Sequence, residues 1–122
     1  MFLTAANTVS GNLRFAISAA GNVVGKEQVI DGNAPLPTGR WTHVAVVLGP
    51  DGGTLYVDGA KVVSNAAVTL RPADLGITTN NYIGRSEFSQ DAYFDGAIDD
   101  FRVYGRALSA DEVKALSDLA GA

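Results

Sequence analysis

Cysteine is absent and histidine occurs once, at position 43. A disulfide scaffold, a thiolate zinc site, a cysteine nucleophile and a multi-histidine metal centre are therefore excluded. Charge is sparse: 18% of residues are Asp, Glu, Lys or Arg, with a net charge of −4. An acidic balance repels phosphate backbones, so a nucleic-acid partner is not expected. No apolar run approaches the roughly 18–20 residues of a membrane helix, so no membrane span is expected. Met1-Phe2-Leu3 carries no basic stretch and Asn7 ends the apolar run, so no signal peptide is expected there.

Hydrophobic residues, by contrast, make up 47% of the 122 residues, enough for one core and hence for one domain over 1–122. The 14 glycines exceed the usual share of about 7% and sit beside Asn and Asp between short β-rich runs. Met1–Ala5 reads as the end of a strand. Leu13, Phe15 and Ile17 alternate with polar neighbours, which predicts a half-buried strand. Val23–Ile30 reads as a second strand. Asp31–Gly39 contains Pro35 and Pro37 and reads as a loop. Trp41–Leu48 is apolar on both faces, which predicts a central strand between two layers, with Trp41 in the core. Asp58-Gly59 between two β runs predicts a two-residue hairpin turn. Asn65–Asn80 reads as a crossing between sheets, Asn81–Arg85 as a short strand, Ser86–Tyr93 as a polar and aromatic loop, and Gly96–Tyr104 as the last strand.

One helix follows. Ser109 and Glu112 have the Ser-x-x-Glu spacing of a capping box, Val113, Leu116 and Leu119 form an apolar stripe, and Gly121 supplies a stop. Short strands with one terminal helix predict an all-β fold, an antiparallel β-sandwich.

Three segments in fixed order narrow this reading. They are Gly39-Arg40-Trp41-Thr42-His43-Val44-Ala45-Val46, Leu55-Tyr56-Val57-Asp58-Gly59, and the run from Tyr93-Phe94-Asp95-Gly96 through Arg102-Val103-Tyr104 to Ser109. With Asn81-Tyr82-Ile83-Gly84-Arg85-Ser86 between the last two, the chain resembles the laminin-G-like, concanavalin A-like lectin/glucanase jelly-roll superfamily. More narrowly, it is similar to bacterial modules appended to secreted glycoside hydrolases and surface proteins. The resemblance implies a jelly roll beginning part-way through the family's strand order, truncated on its N-terminal side. It also implies an extracellular or cell-surface parent and a non-catalytic carbohydrate-binding role. The alternative is a structural or adhesive module without a small ligand.

Candidate residues follow from the chemistry of sugars, which need aromatic faces for ring stacking and planar polar groups for hydroxyls. Tyr82, Arg85, Phe88 and Tyr93 are the carbohydrate candidates, with Gln90 in the same loop and Tyr56 read as facing outward. Glycosidase relatives work with paired carboxylates on one strand face. Asp99 and Asp100 are adjacent, and adjacent strand residues point to opposite faces, so no enzyme is expected. The resemblance makes Asp99 a ligand for structural calcium, and His43 a structural ring hydrogen-bonded to backbone. A sandwich lacking early strands exposes an apolar face and open edges, so a homodimer is expected.

Overall fold

The computed structural model describes residues 1–20 and 26–120. Seven strands form two sheets. β1 (Phe2–Thr4), β2 (Arg14–Ile17), β3 (Gln28–Asp31) and β7 (Tyr82–Ile83) make the first, in the order β3-β2-β1-β7. β4 (Val44–Gly49), β5 (Gly52–Val57) and β6 (Ala60–Asn65) make the second, in sequence order. Every pairing is antiparallel except β1 with β7, which run parallel. A short 3₁₀ turn (Pro72–Leu75) lies on the crossing between sheets, and α1 (Ala110–Ala120) closes the described chain. The mostly β, two-sheet sandwich with one C-terminal helix agrees with the sequence reading.

The core lies between the sheets. Leu13, Phe15 and Ile17 come from β2 and its approach, Ile30 from β3, Leu55 from β5 and Val68 from the crossing. Ile17, Ile30, Leu55 and Val68 are 0–1% exposed. Two glycines permit this approach. A Cβ at Gly53 would strike the Ile30 side chain, and one at Gly32 would meet the Leu13 carbonyl at 2.9 Å. The Asn65 Nδ2 group donates to the Val29 carbonyl at 2.8 Å, tying β6 to β3. The Gln28 side-chain oxygen accepts from the Thr69 and Leu70 N–H groups, which fixes the crossing against β3.

Several local predictions agree with the structure. Asp58 and Gly59 both have positive φ, 50° and 79°, the twist a two-residue hairpin demands. Glu112 N–H donates to Ser109 Oγ at 3.2 Å while Ser109 N–H donates to the Glu112 carboxylate at 3.1 Å, completing the capping box. Val113 is fully buried. The segment Val23–Ile30 is represented only by β3; residues 21–25 and the stop at Gly121 lie outside the described residues.

Four readings require correction. The strand begins at Val44, not Trp41, and Trp41 is 69% exposed. This strand is an edge, not the centre: all of β4 is half-buried, and β5 lies in the middle. Tyr56 does not face solvent but is 7% exposed, beside a register irregularity at Leu55/Tyr56. Gly96–Tyr104 forms no strand, and Ile98, Phe101 and Val103 are 55–81% exposed. The apolar alternation there is real, but a strand needs a neighbour to accept its ladder, and none is paired to it among the described residues.

The open side of β4 has a defined chemistry. Asp58 N–H donates to the His43 carbonyl, which sets the alternation of the antiparallel ladder. His43, Ala45, Val47 and Gly49 therefore face β5, and Val44, Val46 and Leu48 turn their backbone groups outward.

Gly59 joins this hairpin to the helix. A Cβ there would lie 3.1 Å from Ser117 Cβ and 3.2 Å from Lys114 Cα, at a left-handed φ. Gly59→Val is expected to destabilise the fold by about 1–3 kcal/mol, through backbone strain and displacement of α1. Urea unfolding of the two proteins measures this; a difference below about 0.5 kcal/mol would contradict the close packing of turn and helix.

Candidate functional site

The loop after β7 is built by one reversal of the chain. Gly84 adopts φ 82°, and its carbonyl accepts the Phe94 N–H at 2.6 Å. Phe94 packs over the place a Gly84 side chain would need, with its Cβ 3.1 Å from that position. Residues 85–93 thus leave the sheet edge and return to it.

Polar groups fasten the loop from beneath. Ser86 is 2% exposed; its hydroxyl accepts the Phe88 N–H at 2.9 Å and donates to the Phe88 carbonyl at 3.0 Å. Asp91 is 8% exposed, and its Oδ1 accepts the Thr8 N–H at 2.7 Å and the Thr8 hydroxyl at 2.8 Å. Thr8 is itself held by the turn that Asn7 organises, where Asn7 Oδ1 accepts the Val9 and Ser10 N–H groups. Asn7 Nδ2 donates to Asp31, which also pairs with Arg14 at 3.0 Å. Burial pushes the Asp91 carboxyl up, but the Ser86 hydroxyl beside it and the two Thr8 donors outweigh burial and hold it below the usual range. These anchoring residues were not among the candidates. Thr8 and Asp91 are far apart in sequence, and no local spacing announces their pairing.

The outside of the loop carries the aromatic groups. The Arg85 guanidinium carbon lies over the Tyr82 ring, 4.3 Å from its centroid, and over the Tyr93 ring at 4.8 Å. Tyr93 is 70% exposed, and Tyr82 and Arg85 are half-buried. Cation–π contacts of this kind contribute on the order of 0.5–1 kcal/mol at exposed sites. They hold two tyrosines at defined positions around one cation. Tyr82 is steadied further by its hydroxyl, 3.3 Å from Asn80 Oδ1.

The structure thus brings together three of the four carbohydrate candidates. Phe88 turns inward instead and packs edge-on against Phe2, with ring centroids 6.4 Å apart. Gln90 is exposed on the same loop. Tyr56 lies in the other sheet and is buried.

The remaining candidates lie elsewhere. Asp99 is exposed, and its Oδ1 accepts the N–H of Asp100 at 2.8 Å. Asp100 in turn grips Arg102 through both oxygens, at 2.8 and 3.1 Å. Calcium takes six to eight oxygens. Among the described residues no three His, Cys, Asp or Glu side chains are grouped to hold a metal. His43 donates its backbone N–H to Asp58 Oδ1 at 3.0 Å. Its ring does not make the expected hydrogen bond: Nδ1 is buried without a partner among the described residues.

The profile of the Laminin_G_3 family, described as the concanavalin A-like lectin/glucanases superfamily, matches residues 2–114. An alpha-L-arabinofuranosidase of Bifidobacterium longum subsp. longum is 32% identical over 84 residues, 69% of this chain but only 7% of the enzyme. A crystal structure of an S-layer domain-containing protein from Clostridium thermocellum (residues 221–444) shares 41% identity with a TM-score of 0.57. The match covers 88% of this chain and 52% of that one.

The buried Asp91 carboxylate gives the loop a pH dependence with a definite sign. Its folded pKa lies below the unfolded value of about 3.9, so its contribution is fully present above that value. It is lost as pH falls through the lower, folded value. The melting temperature of the natural chain should exceed that of Asp91→Asn at pH 5–7, and the gap should close below about pH 4. A gap independent of pH would contradict the role assigned to the ionised carboxylate.

Proposed function

We propose, given that the chain belongs to the concanavalin A-like lectin/glucanases superfamily, that it is a non-catalytic carbohydrate-binding module. Its parent is a secreted or cell-surface bacterial protein that handles glycans. The observation that carries this reading is the Tyr82–Arg85–Tyr93 cluster, with its exposed ring and fixed cation on an anchored loop. Sugars stack on such rings through their apolar C–H faces, and a neighbouring planar donor group orients the hydroxyls. The two similar proteins support the accessory role, since in each the matching region is part of a longer chain. The alpha-L-arabinofuranosidase further supports a parent that acts on glycans. The acidic side chains support a non-catalytic reading. Glycoside hydrolysis needs two carboxyl groups facing one bond, whereas Asp99 and Asp100 are engaged with their own neighbours.

A second reading rests on a different surface. Backbone groups on the outer side of β4, unpaired among the described residues, and exposed Trp41, Ile98, Phe101 and Val103 favour a structural or adhesive module that associates with itself. Sedimentation of the purified chain tests it. A dimer at micromolar concentration supports the second reading, and a monomer up to high concentration removes it.

Affinity electrophoresis through arabinan and xylan tests the first reading. Tyr93→Ala should weaken retention by about tenfold, equivalent to about 1.4 kcal/mol, with the melting temperature little changed. Retention unaffected by the substitution, or no retention on any polysaccharide, would overturn it.

A further inference from the structure

Arg85 differs from the other arginines of this chain. Arg14, Arg40, Arg102 and Arg106 each pair with a carboxylate. Arg71 donates to the carbonyls of Thr69, Leu70 and Gly49. Arg85 donates only its Nε–H, to the Ser86 carbonyl at 3.3 Å, and its terminal amino groups have no acceptor among the described residues. The two tyrosine rings attract its charge but offer its N–H groups no lone pair in return. The acids nearest to it in sequence are engaged elsewhere: Asp91 with Thr8, and Glu87 with the Met1 amino group at 3.5 Å. The result is a half-buried guanidinium whose terminal donors are unpaired among the described residues, beside the exposed Tyr93.

A planar guanidinium with unpaired terminal donors matches a carboxylate, which accepts two parallel N–H bonds at once. Partial burial strengthens such a bond by lowering the local dielectric. A hexuronic acid joins a carboxylate directly to a pyranose ring and occurs within polysaccharide chains. We infer that the Tyr82–Arg85–Tyr93 cluster binds a uronic acid residue of a glycan, its carboxylate accepting from Arg85 while a neighbouring sugar of the same chain stacks on the open face of Tyr93. The net charge of −4 limits the form this ligand takes. A densely charged polyuronate is repelled as a whole, whereas charges beyond the Debye length of about 8 Å are screened. The matching ligand is a neutral chain that carries isolated uronic acids.

This inference rests on the carbohydrate-binding reading and refines it, and one experiment separates the two. Binding is measured by isothermal titration to glucuronoxylan, and to the same polymer after chemical reduction of its carboxyl groups. The natural chain should bind the native polymer at least tenfold more tightly. Arg85→Gln should erase that preference while retaining the weaker binding to the reduced polymer. Arg85→Lys, which keeps the charge without the fork, should retain only part of the preference and controls for folding. Equal affinity for native and reduced polymers would overturn the uronic acid and leave the carbohydrate reading standing. A preference that survives Arg85→Gln would overturn the role of Arg85. Binding to neither polymer, in a chain that is still retained on arabinan, would overturn the uronic acid alone. Binding to none of these glycans would overturn both.

Discussion

Ile30 resting on Gly53 is the contact on which the rest of the structure depends. It brings β3 against β5, and with Leu13, Phe15, Ile17, Leu55 and Val68 it makes the interior of the sandwich. Hydrophobic burial of side chains this size stabilises by roughly 1.5–3 kcal/mol each. Gly53 has no side chain, so Ile30 can approach the backbone of β5 closely. The first sheet is held in place by this packing, and its far edge, at β1 and β7, is where the loop that runs to Tyr93 begins.

The parallel pairing of β1 with β7 places Tyr82 beside Phe2, and Gly84 then reverses the chain. Phe88 packs on Phe2 on the face of the first sheet away from Leu3 and Phe15, Ser86 closes the loop on Phe88, and Asp91 ties it to the backbone and hydroxyl of Thr8. The loop therefore has an apolar contact and a polar anchor beneath it. Such support is what lets a loop present Tyr82, Arg85 and Tyr93 in a fixed relation, because ordering them in advance lowers the entropic cost of binding.

Much of this was legible in the sequence where the signal is local. The Asp58-Gly59 turn and the Ser109–Glu112 cap are set by backbone conformations and spacings within a few residues. The proximity of Tyr82, Arg85 and Tyr93 was legible because Tyr82 and Arg85 lie on the strand read at Asn81–Arg85 and Tyr93 ends the loop read directly after it. Phe88 misled because an aromatic residue in a polar loop looks alike whether it faces a sugar or another ring. The errors at Trp41, Tyr56 and Gly96–Tyr104 share one cause. A strand's place in its sheet depends on what lies beside it, and alternation of residues reports faces, not neighbours. The strongest apolar run, Trp41–Leu48, read as a centre, and the strand within it, Val44–Gly49, proved to be an edge. Asp91 with Thr8 could not be read at all, since nothing in either segment names the other.

The central claim is that carbohydrate engages the loop from Tyr82 to Tyr93. Titration of the isotopically labelled chain with a glucuronic acid-substituted xylo-oligosaccharide, followed by two-dimensional NMR of its amide groups, tests it most directly. The account predicts shifts concentrated at Tyr82–Tyr93 and its Thr8 anchor, with β4 unmoved. Shifts confined to Val44–Leu48 and residues 97–104, or no shifts at millimolar ligand, would contradict it.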